Sequence, residues 1–218
     1  MTLLRIALPK GRLQEKALDT FARAGYDVPT TDDLASRKLV FIRGDIEWIF
    51  VKDCDVPVYV EHGAADAGIA GLDQILEHDC HAYQPVELPF GHCRMMLIGA
   101  PGAPRLSSEV TATIATKYPR IARQYLDARA IRADLVPLGG SVELAAVLNL
   151  TSHVIDLVET GETVRVHKLE LQDVVAEISP RLIVGRNTYR TEARRIRDLI
   201  ARIEEACAQP EEREANSE

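Results

Sequence analysis

Residue types suited to binding a sugar phosphate follow one another in the second half of the chain. The apolar run Val154–Val158 contains Asp156, and the hydroxyl-rich segment ETGET, residues 159–163, follows at once. Ligands of open α/β sheets bind beyond the carboxyl ends of strands, where Asp156 would accept hydrogen bonds from ribose hydroxyls. Backbone N–H groups around Gly161 and the two threonine hydroxyls would hold a phosphate. The pattern fits a phosphate site, and it fits an ordinary strand that ends in a Thr-Gly turn equally well.

A glycine pair and an acidic residue upstream form a second candidate. Gly139-Gly140 opens a turn, and Ser141 is placed to be the N-cap of a helix predicted over Val142–Leu148. Glu143 falls in the first turn of that helix, whose unpaired N–H groups attract anions. Stabilisation of the helix dipole by Glu143 is the simpler interpretation, and it requires no ligand.

Basic residues lie at two places where strands are predicted to end. Lys10-Gly11-Arg12 directly follows the first apolar run of the chain, and Lys52 follows the strand predicted over Ile46–Val51. A phosphate at the first place would meet two cations and the backbone of Gly11. A solvated basic turn is the alternative there, and Lys52 is a weaker candidate of the same kind.

Histidine and cysteine residues in the middle of the chain are of types that bind zinc. Their spacing matches no zinc finger, and adjacent ligands rarely reach one tetrahedral ion, so no metal ligand is assigned. The residues concerned are His78, Cys80, His81, His92 and Cys93.

Composition restricts the classes of function. The 218 residues are 46% hydrophobic, enough for a core, and the net charge of −7 argues against nonspecific nucleic-acid binding. Arg5 and Lys10 leave the N-terminal apolar run too short for a signal peptide or a membrane helix, so a cytosolic protein with no membrane partner is predicted. Four cysteines without a CxxC pair indicate reduced thiols.

Alternating elements must position the candidate residues. Apolar runs of strand length alternate with segments of helical spacing, which predicts an α/β fold with parallel strands. A strand-rich middle indicates a second lobe inserted in the first. The predicted lobes are residues 1–91 with 180–207, and residues 92–179. A disordered tail is predicted for residues 208–218.

Four motifs, in order along nearly the whole chain, carry a family resemblance. They are IALPKGR at 6–12, DVP at 55–57 with YVEHGAADAGIAG at 59–71, ATKYP at 115–119, and the segment from Gly140 to Thr163. Together they resemble the short-form catalytic subunit of ATP phosphoribosyltransferase, the family that begins histidine biosynthesis.

The resemblance implies a fold, a reaction and partners. The fold would have two lobes of the type II periplasmic-binding-protein kind, with the second inserted in the first. The reaction would transfer the 5-phosphoribosyl group from phosphoribosyl diphosphate to N1 of ATP, with Mg²⁺ as cofactor. The chain would form a homodimer within a hetero-oligomer, together with a histidyl-tRNA-synthetase-like regulatory subunit.

The resemblance also assigns site residues. Lys10, Arg12 and Asp156 would be catalytic. The second lobe would bind phosphoribosyl diphosphate and the first lobe would bind ATP. The residues for phosphoribosyl diphosphate would be Glu143, Asp156, Glu159, Thr160, Gly161, Glu162 and Thr163, and those for ATP would be Lys10, Gly11, Arg12, Lys52, Gly71 and Asp73.

Departures from the family pattern keep one other class of function open, and the sequence disfavours a further class. Leu72 replaces a usual lysine, Ser152 stands where aspartate is common, and Gly185 replaces an asparagine. A two-lobed small-anion binding protein without turnover would tolerate these changes. A nucleobase phosphoribosyltransferase usually has two adjacent acids before the Thr-Gly loop, and Ile155 before Asp156 disfavours that class.

Overall fold

Two β-sheets, each in its own compact unit, organise the chain in a computed structural model. The structure describes residues 3–107 and 111–209. Unit 1 comprises the described residues up to Gly71, Cys80–Gly91, and those from Pro180 onward. Unit 2 comprises Leu72–Asp79 and the described residues between His92 and Ser179. The sequence of unit 1 is therefore interrupted twice by segments of unit 2.

Strands and helices alternate through most of the chain. In chain order the strands are β1 (Leu4–Pro9), β2 (Val40–Arg43), β3 (Ile46–Val51), β4 (Ala67–Gly71), β5 (Tyr83–Glu87), β6 (Cys93–Gly99), β7 (Ala112–Thr116), β8 (Ala133–Pro137), β9 (His153–Val158), β10 (Glu170–Ile178) and β11 (Pro180–Val184). The helices are α1 (Gln14–Arg23), α2 (Thr31–Ala35), α3 (Val56–Glu61), α4 (Leu72–Glu77), α5 (Pro119–Asp127), α6 (Glu143–Val147), α7 (Glu162–Val166), α8 (Arg186–Thr191) and α9 (Ala193–Ala208).

The sheet of unit 1 has the strand order β2-β3-β1-β4-β11-β5. Strand β1 pairs in parallel with both β3 and β4, and β11 returns antiparallel to β4. Ile6 and Leu8 are fully buried because α1 and α3 also contact β1. A strand buried in this way is a nearly continuous apolar run, which is the pattern of residues 4–9.

Gly68 of β4 pairs in register with Ala7 of β1. A Cβ at this position would lie 2.7 Å from the carbonyl oxygen of Ala7 and 2.8 Å from Cγ1 of Val56. We therefore expect Gly68→Ala to lower the free energy of unfolding by about 3 kcal/mol, as overpacking does. Urea unfolding would measure the change. Gly139→Ala is the control, because no atom of the described residues lies within 4 Å of a Cβ there, and a change within about 1 kcal/mol is expected. Equal effects of the two substitutions would contradict the packing argument.

The sheet of unit 2 has the strand order β10-β6-β9-β7-β8. Strands β7, β8 and β9 are parallel, whereas β6 runs antiparallel to both of its neighbours, β9 and β10. The three parallel strands end at the same edge of the sheet, and each is followed by a helix: α5 after β7, α6 after β8, and α7 after β9. The predicted α/β class is confirmed, and this edge is where the second-lobe candidates lie.

The predicted lobes and the observed units differ in one segment. Both divide the chain at residues 91 and 179, but residues 72–79, predicted in the first lobe, belong to unit 2. Leu72 packs against the apolar core of unit 2, and its N–H donates to the carbonyl oxygen of Ser179 at 3.0 Å. These contacts join residues distant in sequence, so the local pattern could not show them.

The C-terminal helical segment also differs from its prediction. The helical spacing of apolar residues predicts one helix over Tyr189–Cys207. The backbone, however, leaves the helical conformation at Glu192 (φ −116°, ψ 32°), between α8 and α9. In α8 the hydroxyl of Thr188 donates to Oδ1 of buried Asp66 at 3.1 Å. This long-range bond fixes α8 independently of α9, whose own apolar face packs in the core of unit 1.

Some expectations concern residues outside the described part of the chain. The predicted tail begins at residue 208, yet α9 includes Ala208, and residues 210–218 lie outside the described residues. The β-branched residues of Val110–Ala115 predict a strand. Its first residue also lies outside the described part, and β7 is described from Ala112. Across residues 3–107 and 111–209, none of the helices combines the length and the apolar character needed to cross a membrane.

Candidate functional site

Asp156 is held at the carboxyl edge of the unit 2 sheet by neighbouring strands. Ile155 of β9 pairs in register with Thr116, the last residue of β7. The Thr116 hydroxyl donates to the carbonyl oxygen of Ile155 at 2.8 Å and accepts from the N–H of Tyr118 at 2.9 Å. The two strand ends are therefore tied together immediately before Asp156.

The carboxylate of Asp156 is mostly buried among charged groups. Burial raises its pKa, and the charges of Glu143 and Asp73 raise it further. A hydrogen bond from the N–H of Leu157 at 2.8 Å and the charge of Lys117 act in the opposite direction. The balance raises the pKa of Asp156 from 3.8 to about 6. Asp156 is therefore ionised at pH 7 to 8, but at a cost in folding free energy.

The raised pKa of Asp156 predicts a pH-dependent stability. In the folded state the carboxyl keeps its proton up to about pH 6, whereas in the unfolded chain it loses it near pH 4. The folded state thus binds more protons in this range, and its stability falls as pH rises. Asp156→Asn removes this dependence, so we expect its stability relative to the wild type to grow by about 2 kcal/mol between pH 4.5 and pH 7.5. Urea unfolding at both pH values measures it, and a constant difference would contradict the prediction.

The hydroxyl-rich segment after β9 turns directly into α7. Gly161 has a left-handed backbone (φ +75°) at the N-cap, a conformation that glycine adopts without strain. The N–H of Glu162 donates to the Thr160 hydroxyl at 3.4 Å, and the side chain of Glu162 pairs with Arg165 at 2.6 Å. Glu162 and Thr163 therefore belong to the first helical turn, where N–H groups lack intrahelical partners. The last two residues of the predicted loop, Glu162 and Thr163, thus begin helix α7.

Glu143 begins α6, after a turn that differs from the prediction. Ser141 was expected as the N-cap, but Val142 occupies that position and no side chain caps the helix. Ser141 instead has a left-handed backbone (φ +47°), and its carbonyl oxygen accepts from the N–H of Leu144 at 3.1 Å. The local pattern of residue types did not show this conformation, which is uncommon for serine. Glu143 itself is half-buried and close enough to Asp156 to influence its pKa.

The basic candidates of unit 1 share the carboxyl edge of its sheet. Pro9 pairs in register with Val51, and the N–H of Lys10 donates to the carbonyl oxygen of Val51 at 2.8 Å. Lys10 and Lys52 therefore follow the ends of two adjacent parallel strands, and both are exposed. Gly11 has a left-handed backbone (φ +94°), which turns the chain after Lys10. Exposed Arg12 follows it, and buried Gly71 ends β4, the neighbouring strand on the other side of β1.

A family model described as HisG: ATP phosphoribosyltransferase matches residues 52–205, well over half of the chain. The chain belongs to the ATP phosphoribosyltransferase family. A curated relative of that name from Deinococcus radiodurans is 45% identical over 205 residues, which cover 94% of this chain and 91% of the relative. Another from Pseudomonas putida is 39% identical over 207 residues, with 94% and 97% covered.

A solved structure extends the similarity to the fold of this ATP phosphoribosyltransferase. It is the ATP phosphoribosyl transferase (HisG:HisZ) complex from Thermotoga maritima, with a TM-score of 0.82 and 31% identity. The match covers 94% of this chain and 98% of that one. The expected two-lobed, type II periplasmic-binding-protein-like fold is confirmed.

Family membership establishes the reaction. The chain is a transferase of histidine biosynthesis that joins the 5-phosphoribosyl group of phosphoribosyl diphosphate to ATP, the first step of the pathway. The enzyme interpretation of the sequence is confirmed over the binding-protein alternative.

The structure changes the grouping of two residues near Asp156. Asp73, assigned to ATP together with Gly71 of the first lobe, lies in unit 2 and within electrostatic range of Asp156. Lys117 was not singled out from the sequence, yet its charge also reaches Asp156. It directly follows β7, so the strand-end pattern that selected Lys10 would also have selected it.

Ser152, one of the departures from the resemblance, contacts a buried histidine. Its hydroxyl lies 2.9 Å from Nδ1 of buried His153, whose Nε2 lies 2.9 Å from the carbonyl oxygen of Pro104. A carbonyl oxygen only accepts, so Nε2 carries the proton and Nδ1 accepts from Ser152. Burial lowers the pKa of His153, which favours this neutral form. Serine at this position therefore orients a buried histidine.

Proposed function

We propose that unit 2 binds phosphoribosyl diphosphate, with Glu143 and Asp156 on its ribose and the segment Glu159–Thr163 on its 5′-phosphate. The observation that supports this assignment is the continuity of the site. An ionisable carboxylate lies near the carboxyl end of strand β9, and a left-handed glycine shortly after the strand opens a helix whose first N–H groups suit a phosphate. At a pH above about 6 Asp156 is an acceptor for ribose hydroxyls.

The carboxylate of Asp156 would also stabilise the charge that develops during phosphoribosyl transfer. The bond between the anomeric carbon and diphosphate breaks as N1 of the adenine bonds to that carbon, so positive charge develops on the ribose. A fixed negative charge near the ribose, such as Asp156, stabilises this charge. Water must be kept from the reacting carbon, because it would hydrolyse the donor. The protein therefore contributes orientation and charge compensation rather than a nucleophile.

The cations of unit 1 are proposed to bind the phosphates of ATP. Lys10 and Lys52 present two ammonium groups at adjacent strand ends, and Gly11 allows close approach to its backbone. Arg12 adds a guanidinium, which pairs well with phosphate oxygens. Gly71 completes the proposed ATP set of unit 1, and Asp73 remains a separate ATP candidate in unit 2.

Mg²⁺ is proposed as the cofactor. Among the described residues no group of three or more histidine, cysteine or acidic side chains gathers to hold a metal. This composition suits a magnesium ion that uses substrate phosphates and waters for most of its ligands, with Asp156 or Glu143 near it. When bound, the ion would neutralise charge on the leaving diphosphate.

A second chain is proposed as a regulatory partner. The similar structure from Thermotoga maritima is a HisG:HisZ complex, and this chain covers 98% of the matched chain in it. We infer that this enzyme is the catalytic homodimer of a hetero-oligomer with a histidyl-tRNA-synthetase-like subunit.

Co-expression of the two chains tests the partner. We expect one size-exclusion peak that contains both, and faster phosphoribosyl-ATP formation from ATP, phosphoribosyl diphosphate and Mg²⁺ than with the catalytic chain alone. Chelation of Mg²⁺ should lower the rate at least about tenfold. Two independent peaks would contradict the partner proposal, and a rate insensitive to chelation would contradict the cofactor proposal.

A further inference from the structure

Helix α4 is anchored to unit 2 at both ends. At its start, Leu72 packs on the unit 2 core and donates to the carbonyl oxygen of Ser179. At its end, the two carboxylate oxygens of Glu77 accept from the N–H groups of Arg120 at 3.0 Å and Ile121 at 3.1 Å. Just beyond, Asp79 pairs with the guanidinium of Arg120 at 2.5 Å.

Glu77 caps the N-terminus of another helix. Helix α5 begins at Pro119, which has no N–H, so Arg120 and Ile121 carry the first donors that need a partner. Tyr118 occupies the N-cap position, but its side chain does not cap the helix. The carboxylate of Glu77 meets both donors and lies at the positive end of the helix dipole. This contact holds α4 and α5 together.

The capped end of α5 lies beside the candidate site. Helix α5 follows β7 after two residues, and Thr116 at the end of β7 is tied to Ile155, the residue before Asp156. Asp73 precedes Glu77 by four residues, one helical turn, and therefore lies on the same side of α4. Asp73 is only 5% exposed and accepts from Nε2 of Gln74 at 2.7 Å.

We propose that Glu77 is a positioning residue for phosphoribosyl transfer. By capping α5 it fixes α4 on unit 2, and it thereby keeps Asp73 at the sheet edge where Asp156 lies. The inference rests on the proposed role of Asp156 in binding the ribose. Glu77 itself need not touch the substrate.

Displacement of α4 has a specific electrostatic consequence. The groups that act on Asp156 are Asp73 on α4, Glu143 on α6 and Lys117 after β7. The charge of Asp73 raises the pKa of Asp156, so moving Asp73 away lowers it. The acid limb of kcat/KM, which follows ionisation of Asp156, then moves to lower pH.

Glu77→Ala and Glu77→Gln test the proposal. We expect Glu77→Ala to lower kcat/KM for phosphoribosyl diphosphate about tenfold and to shift the acid limb to lower pH. Glu77→Gln, which retains one amide acceptor, should give intermediate values. Glu61→Ala is the matched control, because Glu61 also accepts a backbone N–H, that of His81 at 3.0 Å, but in unit 1. It should leave kcat/KM and the limb unchanged.

The outcomes distinguish the positioning role of Glu77 from the ribose-binding role of Asp156. Loss of thermal stability in Glu77→Ala with wild-type kcat/KM and an unmoved acid limb would mean that Glu77 is only structural. If the alanine variant does not fold, the same comparison is made with Glu77→Gln. If Asp156→Asn is fully active, the proposed ribose site is wrong. If Asp156→Asn is inactive while both Glu77 variants behave as wild type, only the role of Glu77 is wrong.

Discussion

Replacing Asp156 by asparagine is expected to lower kcat/KM for phosphoribosyl diphosphate by about 100- to 1000-fold, the range seen when one stabilising group is removed from a preorganised site. The neutral amide keeps an oxygen that accepts from the N–H of Leu157, so the backbone conformation should persist. What is lost is the negative charge beside the developing positive charge on the ribose. Steady-state kinetics at saturating ATP measure the effect.

The pH profile separates this role from a general loss of structure. In the wild type, kcat/KM should fall below about pH 6, where Asp156 takes up a proton, whereas the asparagine variant should be low at every pH. Asp134→Asn is the control, because Asp134 is exposed on β8 in the same unit. Unchanged kinetics in Asp156→Asn, or an equal loss in the control, would refute the assigned role. We expect the active wild type to be less stable than Asp156→Asn, since the buried charge of Asp156 costs folding free energy.

Lys10→Met should lower kcat/KM for ATP by about 100-fold. Methionine retains the length of the side chain, so the substitution removes chiefly the ammonium group that would meet ATP phosphates at the end of β1. Lys52, at the end of the adjacent strand, would compensate only in part. Initial rates at varied ATP and saturating phosphoribosyl diphosphate measure the loss.

The control for this prediction is Lys16→Met. Lys16 is exposed on α1, so the substitution makes the same change in net charge away from the strand ends. If both variants lose activity equally, a general charge effect explains the result. If neither does, Lys10 does not bind the phosphates of ATP.

Local sequence determined the elements that carry the site and the order in which they occur. The apolar runs that became β1 and β9 are buried on both sides, and such runs are recognisable without any tertiary information. Because ligands bind beyond the carboxyl ends of parallel strands, the residues just after these runs were also predictable as candidates. Lys10 and Lys52 do lie side by side at one such edge, and Asp156 lies at another.

Only the tertiary structure decided which groups act on one another. The pKa of Asp156 depends on its burial and on Asp73, Glu143 and Lys117, which come from three other segments of the chain. The assignment of α4 to unit 2 depends on bonds from Glu77 to residues more than forty positions away. Residue types and periodicity describe the conformation of neighbours along the chain, whereas such contacts depend on how distant elements pack. Asp156 could thus be chosen as a site candidate from the sequence, but its raised pKa could be derived only from the fold.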